Sequence, residues 1–279
     1  MPVFDTPRPI AVMVALDAGS VRLVAGDGTD TVVDVRPGSE SREADVRAAE
    51  RTRVEFSNGV LLVKGPKERP LFGTGSSIDV DIALPAGSEV RGTAGAGQFS
   101  LRGTFGECAI RTATGDIQVE RAAGVRLTSG FGEVTLGRAD GRAEVAAASG
   151  EIRLGTVTGS ASVQNSNGAV NLGEIGGALG VKASNGTVTV EHAAADVTVR
   201  TANGAIRVGE LVRGAAVLET GAGAIEFGIR EGTAAFLDMR TRAGSVSQPL
   251  TEVRDAGDAK ETLKVRARAG MGDIAVRRA

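Results

Sequence analysis

Oxygen-bearing side chains set beside glycine at a fixed spacing are the first candidates for chemistry in this chain. Asn167-Gly168, Asn185-Gly186 and Asn203-Gly204 stand 18 residues apart, and Gly115-Asp116 opens the same kind of turn earlier. Calcium β-rolls use turns of this size, with acidic side chains and carbonyls supplying the ligands. Here the turns read TATGDIQVE, NSNGAVNLG and ASNGTVTVE, and of these three only the first sets a carboxylate, Asp116, beside its glycine. A calcium ladder needs one in turn after turn, so no metal and no cofactor is expected.

The other reactive side chains are few. His192 is the single histidine and stands one residue before an apolar position, which predicts a surface imidazole. Cys108 is the single cysteine, so it makes no intramolecular disulfide. It falls on an apolar position and reads as a small core residue, since a buried thiol without a basic neighbour resists ionisation. The glycine-rich stretches GTGSS (73–77) and TGAGA (220–224) lack the Lys-Ser/Thr and the following helix of a phosphate-binding loop. We therefore expect no catalytic residue, and not an enzyme.

The elements that carry these residues repeat. Gly97, Gly115, Gly132, Gly150, Gly168, Gly186, Gly204 and Gly223 follow one another at intervals of 17 to 19 residues. Two and four residues after each stands an apolar side chain, as in Ile117/Val119, Val170/Leu172 and Ile206/Val208. Seven, five and three residues before the glycine stand three more apolar or small ones, as in Val197/Val199/Thr201. Period-two alternation on both sides of a turn means two strands. A further apolar residue seven after the glycine (Ala122, Ala139, Val157, Ile175, Ala193, Leu211) reads as a corner plug. One such rung buries too little to offset the entropy of fixing its backbone, so rungs must stack.

The fold expected is all-β: a single parallel β-solenoid, or β-helix, with about 18 residues per rung and rungs about 4.8 Å apart. The turn ladder comprises Gly115, Gly132, Gly150, Asn167, Gly168, Asn185, Gly186, Asn203 and Gly204, with glycine and asparagine both read as serving a left-handed bend. Residues 1–90 read as irregular N-terminal rungs with a charged insertion or cap at 36–53 that contains a short helix. Residues 91–279 read as regular solenoid with a polar loop at 248–261, the whole forming one continuous domain. SNG at 57–59 matches the corner pattern and is aligned with it. Phe99, Phe227 and Phe236 are expected in the core.

Composition narrows function. The chain carries a net charge of −2, with 40 glycines, 8 phenylalanines and no Trp or Tyr. Nothing draws such a chain as a whole onto nucleic acid, so no nucleic-acid partner is expected. No basic, apolar and cleavable leader and no run of 18 apolar residues is present. The expectation is a cytoplasmic protein with no membrane span. A modest basic stripe runs four residues before successive glycines: Arg111, Lys182, Arg200 and Arg240, with Arg126 beside it. A solvated face is its plain reading and an interaction stripe the sharper one.

Several motifs carry a resemblance. Gly-Asp-Ile at 115–117, the SNG and ANG turns at 166–168, 184–186 and 202–204, ETGAGAIEFGIREGTAAFLD (219–238) and the closing GDIAVRRA resemble a bacterial β-strand-repeat family of unknown function, labelled "putative adhesin". The resemblance covers nearly the whole chain. It implies a right-handed β-helix and transfers no catalytic residue. The function expected is a non-catalytic structural or scaffolding solenoid for an unknown protein partner, or for self-association through end rungs such as the closing MGDIAVRRA. The alternatives are an envelope-associated adhesin or stress-response accessory protein and, last, a carbohydrate-active enzyme. The last is disfavoured because the outward positions Gln118, Thr135, Arg153, Asn171, Thr189, Arg207 and Glu226 contain no acidic pair.

Overall fold

Apolar side chains at every second position, with a glycine at each bend, leave the backbone one way to satisfy its hydrogen bonds: strand against strand in neighbouring rungs. A computed structural model describes residues 1–67, 75–248 and 261–279. Gly73 and Thr74 of the GTGSS stretch, and all but the ends of the loop expected at 248–261, lie outside them. The chain divides into two compact units, Met1–Asp140 and Gly141–Ala279, each built as a parallel β-solenoid.

The first unit contains β1 (Val3–Asp5), β2 (Ala11–Gly26), β3 (Asp30–Pro37), α1 (Glu43–Glu50), β4 (Arg53–Ser57), β5 (Val60–Lys64), β6 (Ile78–Pro85), β7 (Glu89–Thr114), β8 (Ile117–Phe131) and β9 (Val134–Ala139). β2 is sandwiched. It pairs in parallel with β5 and β6 on one edge and with β7 on the other, Gly19 standing opposite Gly97. β7 pairs onward with β8, and β8 with β9, again in parallel.

Antiparallel strands close the outer edge: β4 lies on β5, β3 on β6, and β1 on β3. These cover strand edges that would otherwise offer unpaired N–H and C=O groups. The charged segment 36–53 supplies α1, which packs on β3 and β6. Its buried Asp45 accepts the Ser77 N–H at 3.0 Å and pairs with Arg42 at 3.5 Å, tying the helix down. Phe4 and Phe56 meet at 5.3 Å across the same cap.

The second unit contains β10 (Ala143–Ser149), β11 (Ile152–Val157), β12 (Ala161–Asn167), β13 (Val170–Ile175), β14 (Leu179–Asn185), β15 (Val188–Ala193), β16 (Val197–Asn203), β17 (Ile206–Leu211), β18 (Gly214–Ala222), β19 (Ile225–Ile229), β20 (Thr233–Ala243), β21 (Val246–Ser247), β22 (Glu261–Met271) and β23 (Ile274–Arg278). Even-numbered strands β10 to β18 form one column and odd-numbered β11 to β19 another, parallel and one rung apart. Inward side chains fill the core: Val170, Leu172, Val188, Val190, Val197, Val199, Ile206 and Val208 are buried, as are the corner residues Val157, Ile175, Ala193 and Leu211.

Three expectations are corrected. First, the closing MGDIAVRRA is not the end of the stack. β22 and β23 slot between β18/β19 and β20/β21, so spatial order runs Gly223, Gly272, Gly244. The inward Leu263, Val265, Ala267 and Ala269 of β22 are all buried, whereas Ala235, Leu237 and Met239 of β20 are half-buried. The strand with a fully apolar inner row thus takes the enclosed place. Second, SNG at 57–59 is a two-residue hairpin turn joining antiparallel β4 and β5, with Asn58 at φ 51° and Gly59 at φ 75°. Third, Phe236 is 64% exposed, because Leu237 and not Phe236 occupies the inward register.

Candidate functional site: the turn ladders and the basic outer face

Each corner glycine is demanded twice. Gly115, Gly132, Gly168, Gly186 and Gly204 have φ between 128° and 152°, which L side chains rarely adopt. A Cβ on Gly168, Gly186 or Gly204 would also stand 2.0–2.1 Å from the carbonyl oxygen of the glycine one rung back. Gly150 shares the conformation, at φ 139°. The asparagines are different: among the described residues Asn58 alone combines a side chain with positive φ, so Asn167, Asn185 and Asn203 sit in extended strand ends. Their amides bond along the stack instead. Asn185 Nδ2 donates to Asn167 Oδ1 at 2.9 Å, and Asn203 Nδ2 donates to Asn185 Oδ1 at 3.0 Å.

A second, buried ladder lies three residues before several of the glycines, where sequence reasoning saw only small residues, and is interrupted by Ala147, Ala183 and Ala269. Thr112 donates to Gly97 O at 3.0 Å, Ser129 to Gly115 O at 3.1 Å, Asn165 to Gly150 O at 3.0 Å and Thr220 to Gly204 O at 2.9 Å. These side chains satisfy corner carbonyls that the sheet ladder leaves open. The clue in the sequence is a hydroxyl or amide recurring on an otherwise apolar inner row. Thr201 Oγ1 breaks the pattern and has no partner.

The groups that could do chemistry are held by structural bonds. Asp116 Oδ1 accepts the Glu133 N–H at 2.8 Å, and Asp273 Oδ1 likewise accepts from Ser245, whose backbone N–H holds that carboxyl below the usual range. Both are strand caps. Among the described residues no group of three His, Cys, Asp or Glu side chains comes close enough to hold a metal ion. Burial pushes the Cys108 thiol up to about 12, with nearby Glu107 adding to the shift. His192 is half-buried and paired: Nδ1 lies 2.7 Å from Glu210 Oε2, and Glu210 also accepts from Arg230 Nε at 2.5 Å. The Arg230 hydrogen bond, and after it that of His192, hold the Glu210 carboxyl below its ordinary value against the effect of burial.

Of the basic stripe, Arg111 and Arg126 lie exposed on the first unit, on neighbouring outward positions of β7 and β8. Lys182, Arg200 and Arg240 lie exposed on the second. There Lys182 stands beside Arg200 and Arg200 beside Glu219, which it pairs with at 2.9 Å. Arg240 does not follow Glu219 directly. Arg268 intervenes, a residue missed because the count of four was not continued to Gly272. No helix among the described residues is long and apolar enough to cross a membrane.

A model of the Toastrack DUF4097 family matches residues 47–277. The chain belongs to the Toastrack DUF4097 family. No curated protein matches it. Among solved structures, this Toastrack chain is similar to a putative adhesin from Parabacteroides distasonis at 11% identity, covering 98% of this chain and 95% of that one, with a TM-score of 0.44. A putative adhesin from Parabacteroides merdae matches at 12% identity, covering 99% and 94%, also with a TM-score of 0.44. A putative lipid binding protein from Parabacteroides distasonis matches at 11% identity, covering 100% and 95%, with a TM-score of 0.39.

Proposed function

We propose that this chain is a non-catalytic scaffold whose solenoid surface serves protein interaction or self-association. The observation that carries this reading is β20. It is the last strand of its column among the described residues, and it leaves Phe236 exposed and Leu237 and Met239 half-exposed. Leu237 and Met239 lie on the inner row of a strand that bonds one described neighbour, and such a row is what a further strand would cover, while Phe236 adds an apolar side chain on the outer face. The side chains best suited to catalysis, Cys108, His192 and Asp116, are either unionised or committed to structural bonds.

Light scattering across a concentration series tests self-association: mass rising with concentration is expected, and a strict monomer at high concentration rejects it. Fractionation of the native host tests the setting. A scaffold of this kind is expected in the cytoplasmic pool, and recovery with the envelope favours an adhesin instead.

A further inference from the structure

The second unit carries a concentration of charge that the chain's near-neutral total conceals. On the outer face of β18, β22 and β20 a groove of about 730 Å³ is lined by Arg200, Arg240, Arg242, Arg266 and Arg268, with Glu219 among them. Two carboxylates temper the five guanidiniums. Glu219 pairs with Arg200 at 2.9 Å, while Asp238 takes Arg268 in a short ion pair and Arg240 at 3.5 Å. Five positive charges against two negative leave three in excess, within a chain whose net charge is −2. Arg242 and Arg266 are exposed and make no salt bridge within 4 Å with a described residue, although Arg266 stands opposite Asp238 in the ladder and its charge helps to hold that carboxyl below its ordinary value.

Beside the groove is an apolar hollow of about 410 Å³ floored by Ala215 and Val217 and walled by Phe236. The two share Arg266 as a common wall. The outward residues run in register: Phe236, Asp238, Arg240 and Arg242 along β20, and Lys264, Arg266 and Arg268 along β22. Along a strand, outward positions repeat every ~6.8 Å, the spacing of same-side residues in any extended peptide.

We infer that this face binds an acidic peptide segment in extended conformation, its alternate carboxylates meeting Arg240/Arg242 and Arg266/Arg268 and an apolar side chain entering the hollow beside Phe236. This rests on the interaction reading above and names the partner's chemistry. Guanidinium forks match carboxylates two at a time. The adjoining hollow favours a peptide over a uniformly charged polysaccharide, because it rewards an apolar side chain set next to an acidic one.

The test uses the full chain and a labelled synthetic peptide carrying glutamate at every second position and leucine at each end, followed by fluorescence anisotropy. Binding that weakens with added salt is expected. Arg242→Glu with Arg266→Glu should weaken it about tenfold or more, Phe236→Ser should weaken it less, and Arg111→Glu should leave it unchanged. Melting curves check folding, and Arg242→Gln with Arg266→Gln serves if the charge-reversed pair fails to fold. Equal binding of a glutamine version of the peptide overturns the proposal, as does an unaffected double variant. Tighter competition by a sulfated polysaccharide or by phosphatidylserine vesicles also overturns it. Self-association is read separately by light scattering, so its persistence beside a failed peptide assay rejects the groove and leaves the scaffold standing.

Discussion

Ser57-Asn58-Gly59 and Ser184-Asn185-Gly186 are the same tripeptide folded two ways. In the first, Asn58 and Gly59 both take positive φ and reverse the chain between antiparallel strands. In the second, Asn185 stays extended, Gly186 alone turns at φ 137°, and the chain bends a corner between parallel rungs. What differs is the neighbour. A Cβ on Gly186 would meet the Gly168 carbonyl at 2.1 Å, whereas one on Gly59 would meet nothing within 4 Å. The rung beneath, and not the tripeptide, sets the conformation.

The sharpest way to break that comparison is substitution at the two glycines. Gly186→Val forces a branched side chain into a rung carbonyl at a strained φ and should abolish folding or lower the melting temperature by many degrees. Gly59→Ala faces open space and should cost only about 1 kcal/mol of backbone strain. Thermal denaturation of both decides. Equal losses would mean that close approach between rungs is not what fixes the corner, and an unchanged Gly186→Val would put the register itself in error.

The buried ladder offers a smaller contrast. Thr112→Val removes a hydroxyl whose single proton has Gly97 O at 3.0 Å and Thr114 O at 2.9 Å within reach, leaving a corner carbonyl unpaired at a cost of about 1–3 kcal/mol. Thr201 occupies the equivalent row with its hydroxyl unpartnered, so Thr201→Val should be neutral or stabilising. Matching losses in urea denaturation would show that the row acts by shape and not by hydrogen bonding.

The asparagines follow in size. Asn185→Ala deletes one donated and one accepted amide bond, both exposed, and should cost about 1 kcal/mol. Asn58→Ala loses no ladder, only tolerance of φ 51°, for a penalty of about 1 kcal/mol as well. Their responses to a second substitution separate them: Asn167→Ala should be non-additive with Asn185→Ala and additive with Asn58→Ala, read from a double-mutant cycle.

Period, core and corner glycines were legible because each depends on one rung's own residues. Counting from Gly244 even places Leu237 inward and Phe236 outward; assigning Phe236 to the core by its hydrophobicity ignored that count. Strand order at the C-terminus was not legible, since the rungs of Gly244 and Gly272 both satisfy the template and nothing within either names its neighbours. The hairpin at 57–59 was hidden for a related reason. Leu61 and Val63 fall two and four residues after Gly59 and are buried, as after any corner. Bulky Phe56 stands three before Gly59 where most corners carry a small or hydroxyl residue, but Leu16 does the same before the true corner at Gly19. The arginine groove was half legible, its members split between strands that meet only through the altered order.

The smallest effect expected is on acid stability. Glu210, bonded first by Arg230 and then by His192, keeps its carboxyl below the ordinary value in the folded chain. A carboxylate depressed on folding contributes stability that is present above its unfolded pKa, near 4.5, and is lost as pH falls through the lower folded value. Glu210→Gln should therefore lower the melting temperature slightly at neutral pH and converge on the parent protein in strong acid. A Glu210→Gln penalty that persists undiminished in strong acid would mean that the charge of this carboxylate contributes nothing to folding.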